Sequence, residues 1–208
     1  ECQFLASRLV IRSHIVRSRV RAATVLYRQL ELFGGRIRSR ARSGQLRQRV
    51  EAEIKKLFGK APSPLVAELR YLLDLCERLI AHQYQIDREL KRLALETEVC
   101  RRFMAIPGIG PICALTFYAA VSEPLRFRRA ADIGSYLGLT PKLYQSGLTQ
   151  RVGRISKMGS GAARTLLVGA STQFMKCSAG TQLHAWALQV EQRRGRGRAR
   201  VALARKLA

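Results

Sequence analysis

Residues 142–161 read KLYQSGLTQRVGRISKMGSG, and no acidic residue occurs between Asp132 and Glu191. Hydroxyls, cations and glycines alternate there. A serine or tyrosine oxygen in such a stretch can attack a phosphodiester and form a covalent intermediate. Arg151, Arg154 and Lys157 are placed to neutralise charge that grows on phosphoryl oxygens. Three hydroxyls compete for the nucleophile's role: Ser146, Ser156 and Tyr144. Spacing nominates the region and leaves the atom open, because any one serine in such a loop reads equally as a solvated turn residue.

A second stretch with chemical potential is IPGIG at residues 106–110. Gly108 and Gly110 permit a tight turn with accessible amides, and Pro111 suits the first position of a helix. Helix, glycine turn and helix give a helix-hairpin-helix-like element whose amides can meet a phosphate. The competing reading is that the glycines only let two helices pack closely. Arg126, Arg128 and Arg129 follow, ahead of an apolar set made by Phe127, Ile133, Tyr136 and Leu137.

Metal chemistry finds little support. Beyond residue 100 the acids are Glu123, Asp132 and Glu191, and Glu1, Glu31, Glu51 and Glu53 form no evident cluster. A two-metal site needs several carboxylates around ions roughly 3.5–4 Å apart. The five cysteines (2, 76, 100, 113 and 177) show no C-x-x-C spacing, and His14, His82 and His184 stand alone. No metal site is therefore expected in this chain, and the thiols read as buried or idle in a reducing compartment. Neither a Walker motif nor GxGxxG is present.

The elements that must position these groups read as mostly α. Residues 3–33 carry apolar residues at helical spacing with arginines interleaved, up to Gly34 and Gly35. Apolar surface left exposed on this helix is expected. Residues 36–44 read as a loop or arm, 45–58 as a short helix, and 60–64 as a break. One long helix is predicted from Leu65 to about Phe103. Its stripe Leu65, Leu69, Leu72, Cys76, Leu79, Gln83, Ile86, Leu90, Leu93, Thr97 and Cys100 repeats by threes and fours, the pattern of a coiled coil. Helices follow over 112–121, within 124–139 (closed by Pro141), from about Ala162, and after Gly180. Residues 142–161 are expected to be loop or hairpin. The final run EQRRGRGRARVALARKLA reads as a cationic arm or a last short helix.

Charge sets the class of partner. The chain has 38 Lys and Arg against 14 Asp and Glu in 208 residues, net +24. Residues 1–60 hold 15 basic and 4 acidic side chains, 61–100 hold 5 and 7, and 101–208 hold 18 and 3. Two cationic blocks thus flank a near-neutral spacer. Self-repulsion of this size calls for a polyanion, nucleic acid first. No apolar run reaches 18 residues, so no membrane span is expected. The opening is too charged for a secretory signal, and its first residue is Glu, as in a piece of a longer protein.

Together, IPGIGPICALTFYAAV and RFRRAADIGSYLGLTPKLYQSGLTQRVGRISKMGSGAARTLLVGAS resemble the C-terminal domain of the IS110/IS116/IS902 insertion-sequence transposases. The likeness spans about residues 101–180 and rests on PGIG, the SG pair, GRISKMG and the RTLLV helix. Residues 3–33 resemble the helical segment ahead of the family's coiled coil, and 65–100 the coiled coil itself.

The resemblance implies a division into a basic helical remnant of a RuvC-like domain (1–60), a coiled-coil-like linker (61–100), a transposase domain (101–190) and a basic tail (191–208). It implies breakage and rejoining of DNA by a serine, placed at Ser146 with Ser156 as the fallback. It further implies Mg²⁺ held by four carboxylates lying ahead of residue 1, so this chain alone is expected to bind nucleic acid without strand exchange. DNA, an element-encoded guide RNA and further copies joined through 65–100 are the implied partners, in the cytoplasm of a bacterium or archaeon, associated with the nucleoid. Expected DNA contacts are Gly108, Gly110, Arg126, Arg128, Arg129, Arg151, Arg154 and Lys157. The alternatives are a non-catalytic helix-hairpin-helix DNA-binding module and an RNA-associated basic protein.

Overall fold

A computed structural model describes residues 2–37, 45–59, 63–146 and 149–208. Nine helices and one β-hairpin are found among them. In chain order these are α1 (Cys2–Leu32), α2 (Leu46–Phe58), α3 (Pro64–Glu96), α4 (Glu98–Met104), α5 (Pro111–Val121), α6 (Ala130–Tyr136), β1 (Pro141–Ser146), β2 (Thr149–Ile155), α7 (Gly161–Cys177), α8 (Gln182–Arg194) and α9 (Arg196–Leu207). The helical class agrees with the sequence; the hairpin is its only sheet among the described residues. Much of the arm predicted at 36–44 and of the break at 60–64 lies outside the described residues, as do Gly147 and Leu148. The chain divides into two compact units, Arg8–Glu89 and the remainder, with the division falling inside α1 and α3.

In the first unit α1, α2 and α3 enclose an apolar core. Ala22, Leu26 and Leu30 of α1 meet Leu46, Val50 and Ile54 of α2 and Val66, Leu69, Leu73 and Cys76 of α3. Burying such side chains contributes about 1.5–3 kcal/mol each before entropy is subtracted. Arg12 pairs with Asp87 and Arg8 with Glu89, so α1 and α3 run antiparallel. Arg47 of α2 reaches both Asp74 and Glu77 of α3, and Arg70 meets Glu51. Four of the seven acids of the near-neutral spacer, Asp74, Glu77, Asp87 and Glu89, are thus matched to arginines of the basic block. Every position of the predicted α3 stripe is buried or half-buried.

The predicted long helix is not continuous. It breaks at Thr97, whose φ of −84° and ψ of 113° are extended, and α4 resumes at Glu98. The Thr97 hydroxyl donates to the Leu93 carbonyl at 2.9 Å, and a threonine bonded back in this way favours a bend. The 3–4 spacing carries through to Cys100, so periodicity alone does not reveal the joint.

In the second unit α5 is apolar on nearly all sides and correspondingly buried, with Cys113, Ala114, Leu115, Phe117 and Val121 inside. It packs on α4, where Phe103 stacks on Phe117 at 4.4 Å between centroids, and on α7. The α7 helix turns Ala163, Leu167, Ala170 and Phe174 inward. Ser160 caps it by accepting from the Ala163 N–H, and Thr181 caps α8 by accepting from the His184 N–H. The basic terminal run is helical and packed: α9 lies against both α7 and α8 with Ala199, Leu203, Ala204 and Leu207 buried. Pro141 opens β1, whereas the helix before it ends at Tyr136.

Candidate nucleic-acid interface

Two interlocked turns set the base of the hairpin. At Gly138 φ is +67° and at Gly159 it is +66°. A Cβ on Gly159 would stand 2.1 Å from the Tyr136 carbonyl oxygen, so only glycine fits there. The Ser156 N–H donates to Thr140 O at 2.8 Å and the Lys157 N–H to Gly138 O at 3.2 Å. Arg164 of α7 fastens both turns: its Nη1 donates to Leu137 O at 2.8 Å and to Met158 O at 2.9 Å. Lys157 itself adopts φ +58°, unusual for a residue with a side chain.

From that base the antiparallel hairpin projects, pairing Tyr144 with Arg151 and Ser146 with Thr149. All six residues of β1 are exposed, so no buried face of its own holds it. Tyr144 leans diagonally across Gly153, where a Cβ would approach its Cε2 to 2.9 Å.

Between the hairpin, the start of α6, α8 and α9 lies an open groove of about 1800 Å³. Ser146, Tyr144, Arg151, Arg154 and Lys157, separately nominated by the sequence, all line it. So do four cations that the sequence reading left unassigned: Arg194, Arg198, Arg205 and Lys206. Among the described residues seven cations therefore face one groove, and no Asp, Glu or His side chain lines it. Trp186 and the apolar side chains of Leu139, Val152, Ile155, Val190 and Val201 complete the wall. Lys206 Nζ rests 4.4 Å from the centre of the Trp186 ring. The missed cations carried a readable signal. On α9, Ala199, Leu203 and Leu207 fall on one helical face and Arg198, Val201 and Arg205 on another.

Other nominated residues lie elsewhere. Ser156 is half-buried and does not line the groove. Gly108, with φ +90°, is pressed against α7, where a Cβ would stand 2.6 Å from Ala170 O. That is the close-packing use of glycine. Gly110 caps α5 with open space beside it. The Arg126 guanidinium lies over the rings of Phe127 (4.8 Å) and Tyr136 (4.5 Å), which themselves meet edge to face. Arg128 and Arg129 are exposed, and the Arg129 backbone N–H donates to Asp132, fixing the start of α6.

Among the described residues no group of three or more His, Cys, Asp or Glu could hold a metal ion. Neither Glu123, Asp132 nor Glu191 lines the groove. These residues do not fit the Mg²⁺ implied by the family resemblance. Buried thiols are held protonated: burial pushes Cys113 up to about 11 and raises Cys76 and Cys100 as well. Among the described residues no helix is long and apolar enough to cross a membrane.

Residues 100–186 match the family described as Transposase IS116/IS110/IS902. The match contains the two turns, the hairpin and α7. A protein of Pseudomonas aeruginosa described as a probable family 20 transposase is 30% identical over 214 aligned residues, covering 100% of this chain and 62% of its own length. The transposase for insertion sequence element IS1111A of Coxiella burnetii is 37% identical over 59% of this chain and 34% of its own. The transposase for insertion sequence element IS1328 of Yersinia enterocolitica is 31% identical over 80% of this chain and 48% of its own. The chain thus spans from about a third to about three-fifths of the length of these relatives.

Proposed function

We propose that this chain supplies the DNA-holding and nucleophilic part of an insertion-sequence transposase, with Ser146 as the attacking group. One observation carries the reading: among the described residues Ser146 shares a groove with seven cationic side chains and no acidic one. In the reaction the Ser146 Oγ–phosphorus bond forms and the bond from phosphorus to one deoxyribose oxygen breaks. That oxygen departs as a hydroxyl carrying, in net terms, the serine proton. A phosphoester replaces a phosphoester, so a second deoxyribose hydroxyl can reverse the exchange and rejoin strands. Arg151, Arg154 and Lys157 offset the charge on the phosphoryl oxygens. Among the described residues no Asp, Glu or His side chain lines the groove to relay the proton, and no step is assigned to a metal. Tyr144 is the rival that shares the groove; Ser156 ranks below both because it does not.

Finer contacts belong to the same reading. The hairpin of α4 and α5 serves as the helix-hairpin-helix element, with the amides beyond Gly110 meeting a phosphate and Gly108 holding the turn on α7. Arg128 and Arg129 extend the cationic track toward the groove, and Arg126 stiffens the turn between them and α5. A guide RNA is a second polyanion for the same surfaces. A further copy would meet α3 through the side carrying Tyr71 and Leu75, since the heptad stripe is turned inward.

The test combines this chain with the N-terminal portion of a matched relative, Mg²⁺, cognate RNA and labelled element-end DNA. A protein–DNA adduct that survives denaturation is expected, and Ser146→Ala should remove it while changing DNA affinity less than about threefold. An adduct retained in Ser146→Ala transfers the role to Tyr144 or Ser156. Binding without any adduct, beside an intact relative that gives one, leaves the non-catalytic DNA-binding module or the RNA-associated protein.

A further inference from the structure

We propose that the groove receives an unpaired polynucleotide strand, with bases stacked on Tyr144 and Trp186 from opposite walls. This rests on the nucleic-acid reading above and specifies its substrate. Duplex DNA offers a protein groove mainly phosphates and sugars, because its base faces are stacked inside. A groove built for that surface needs cations alone. This one interleaves its cations with two aromatic rings and an apolar floor that includes Val152 and Val201. Base faces are the part of a nucleic acid that pairs with such a floor, and stacking on an aromatic ring tolerates any base.

The geometry of the two rings supports the assignment. Tyr144 is 57% exposed and rests one edge over Gly153, leaving the rest of the ring to the groove. Trp186 already holds a cation, Lys206, over its ring. A strand entering the groove offers Lys206 a phosphate and the vacated ring a base. At about 1800 Å³ the groove exceeds the roughly 300–1,000 Å³ of a small-molecule cleft, which fits several nucleotides better than one.

Trp186 is the only tryptophan in the chain, so its fluorescence reports on this site alone. The 208-residue protein would be titrated with a single-stranded DNA 20-mer, an RNA 20-mer and a 20-base-pair duplex at two salt concentrations, with affinity read from the anisotropy of an end-labelled strand for every variant and Trp186 emission followed in the parent protein. Both single strands are expected to quench Trp186 emission and to bind about tenfold or more tighter than the duplex. Tyr144→Ala, and separately Trp186→Ala, should weaken single-strand binding by roughly five- to one-hundredfold, since a stacked base contributes about 1–3 kcal/mol. Duplex binding should change less than twofold. Trp186→Phe keeps a ring and should retain most single-strand affinity, which separates stacking from a folding defect. Equal binding of duplex and single strands, or tight single-strand binding that leaves Trp186 emission unchanged, overturns the inference but not the nucleic-acid reading. Failure of all three to bind overturns both. If only the RNA or only the DNA strand quenches, the unpaired-strand assignment stands and its source is identified.

Discussion

Cys113 shows how much a single side chain can report. It is 7% exposed, and burial pushes its thiol up to about 11. An unfolded chain ionises the same thiol near 8.5. Between these values the unfolded state loses its proton first, so stability should fall as pH rises through this window, by on the order of 3 kcal/mol at most. Denaturant titrations from pH 7 to 11 check this, and Cys113→Ala should flatten the slope. In the native protein at pH 8 maleimide should modify exposed Cys177 well before Cys76, Cys100 or Cys113. At this scale the sequence was a partial guide. It brought Ser146, Tyr144, Arg151, Arg154 and Lys157 forward because hydroxyls and cations without acids are a compositional signal. It could not separate Gly108 from Gly110: whether a glycine faces a phosphate or a neighbouring helix depends on what lies across from it, and α7 is some sixty residues away.

Elements fix where those side chains point. Leu203 is fully buried and ties α9 to its neighbours. Leu203→Ala should cost about 2–5 kcal/mol. Because Arg198 and Arg205 ride on α9, the substitution should also loosen nucleic-acid binding, read out as faster amide exchange confined first to α9. Gly159→Ala should be equally severe, since the methyl group would collide with the Tyr136 carbonyl and the backbone sits at φ +66°. A fall in Tm of several degrees or more, with loss of binding, is the expected result. The helices were mostly legible from their periods. The hairpin was legible only as an option, because β1 is exposed along its whole length and shows no apolar alternation to read. α9 was legible only as one option, a short helix or an arm, because alanine supplies half of its buried face.

For the whole molecule, net charge dominates. A protein with a formal charge of +24 should bind polyanions with steep salt dependence. Replacing Arg198 and Arg205 together by Gln should reduce the slope of log affinity against log salt by about 1.4 for a single strand, at roughly 0.7 per phosphate contact. Salt titration of the two proteins side by side measures it. Apolar exposure works in the opposite direction. Phe4, Ile11, Val25 and Leu32 lie seven or fourteen residues apart on α1 and are between 46% and 81% exposed. Changing all four to Gln should keep the protein dispersed at concentrations where the parent scatters light. That surface was foreseen in the sequence, since these residues fall off the face that packs on α3.

The clamp made by Arg164 has an evolutionary side. It grips carbonyl oxygens, which every amino acid possesses, so the grip is indifferent to the side chain at residue 158. Met158 is 68% exposed and follows Lys157, which lines the groove, without lining it itself. Drift at that position can therefore change the exposed surface next to the groove while the scaffold beneath it stays the same, giving selection a place to vary that surface without first solving a folding problem.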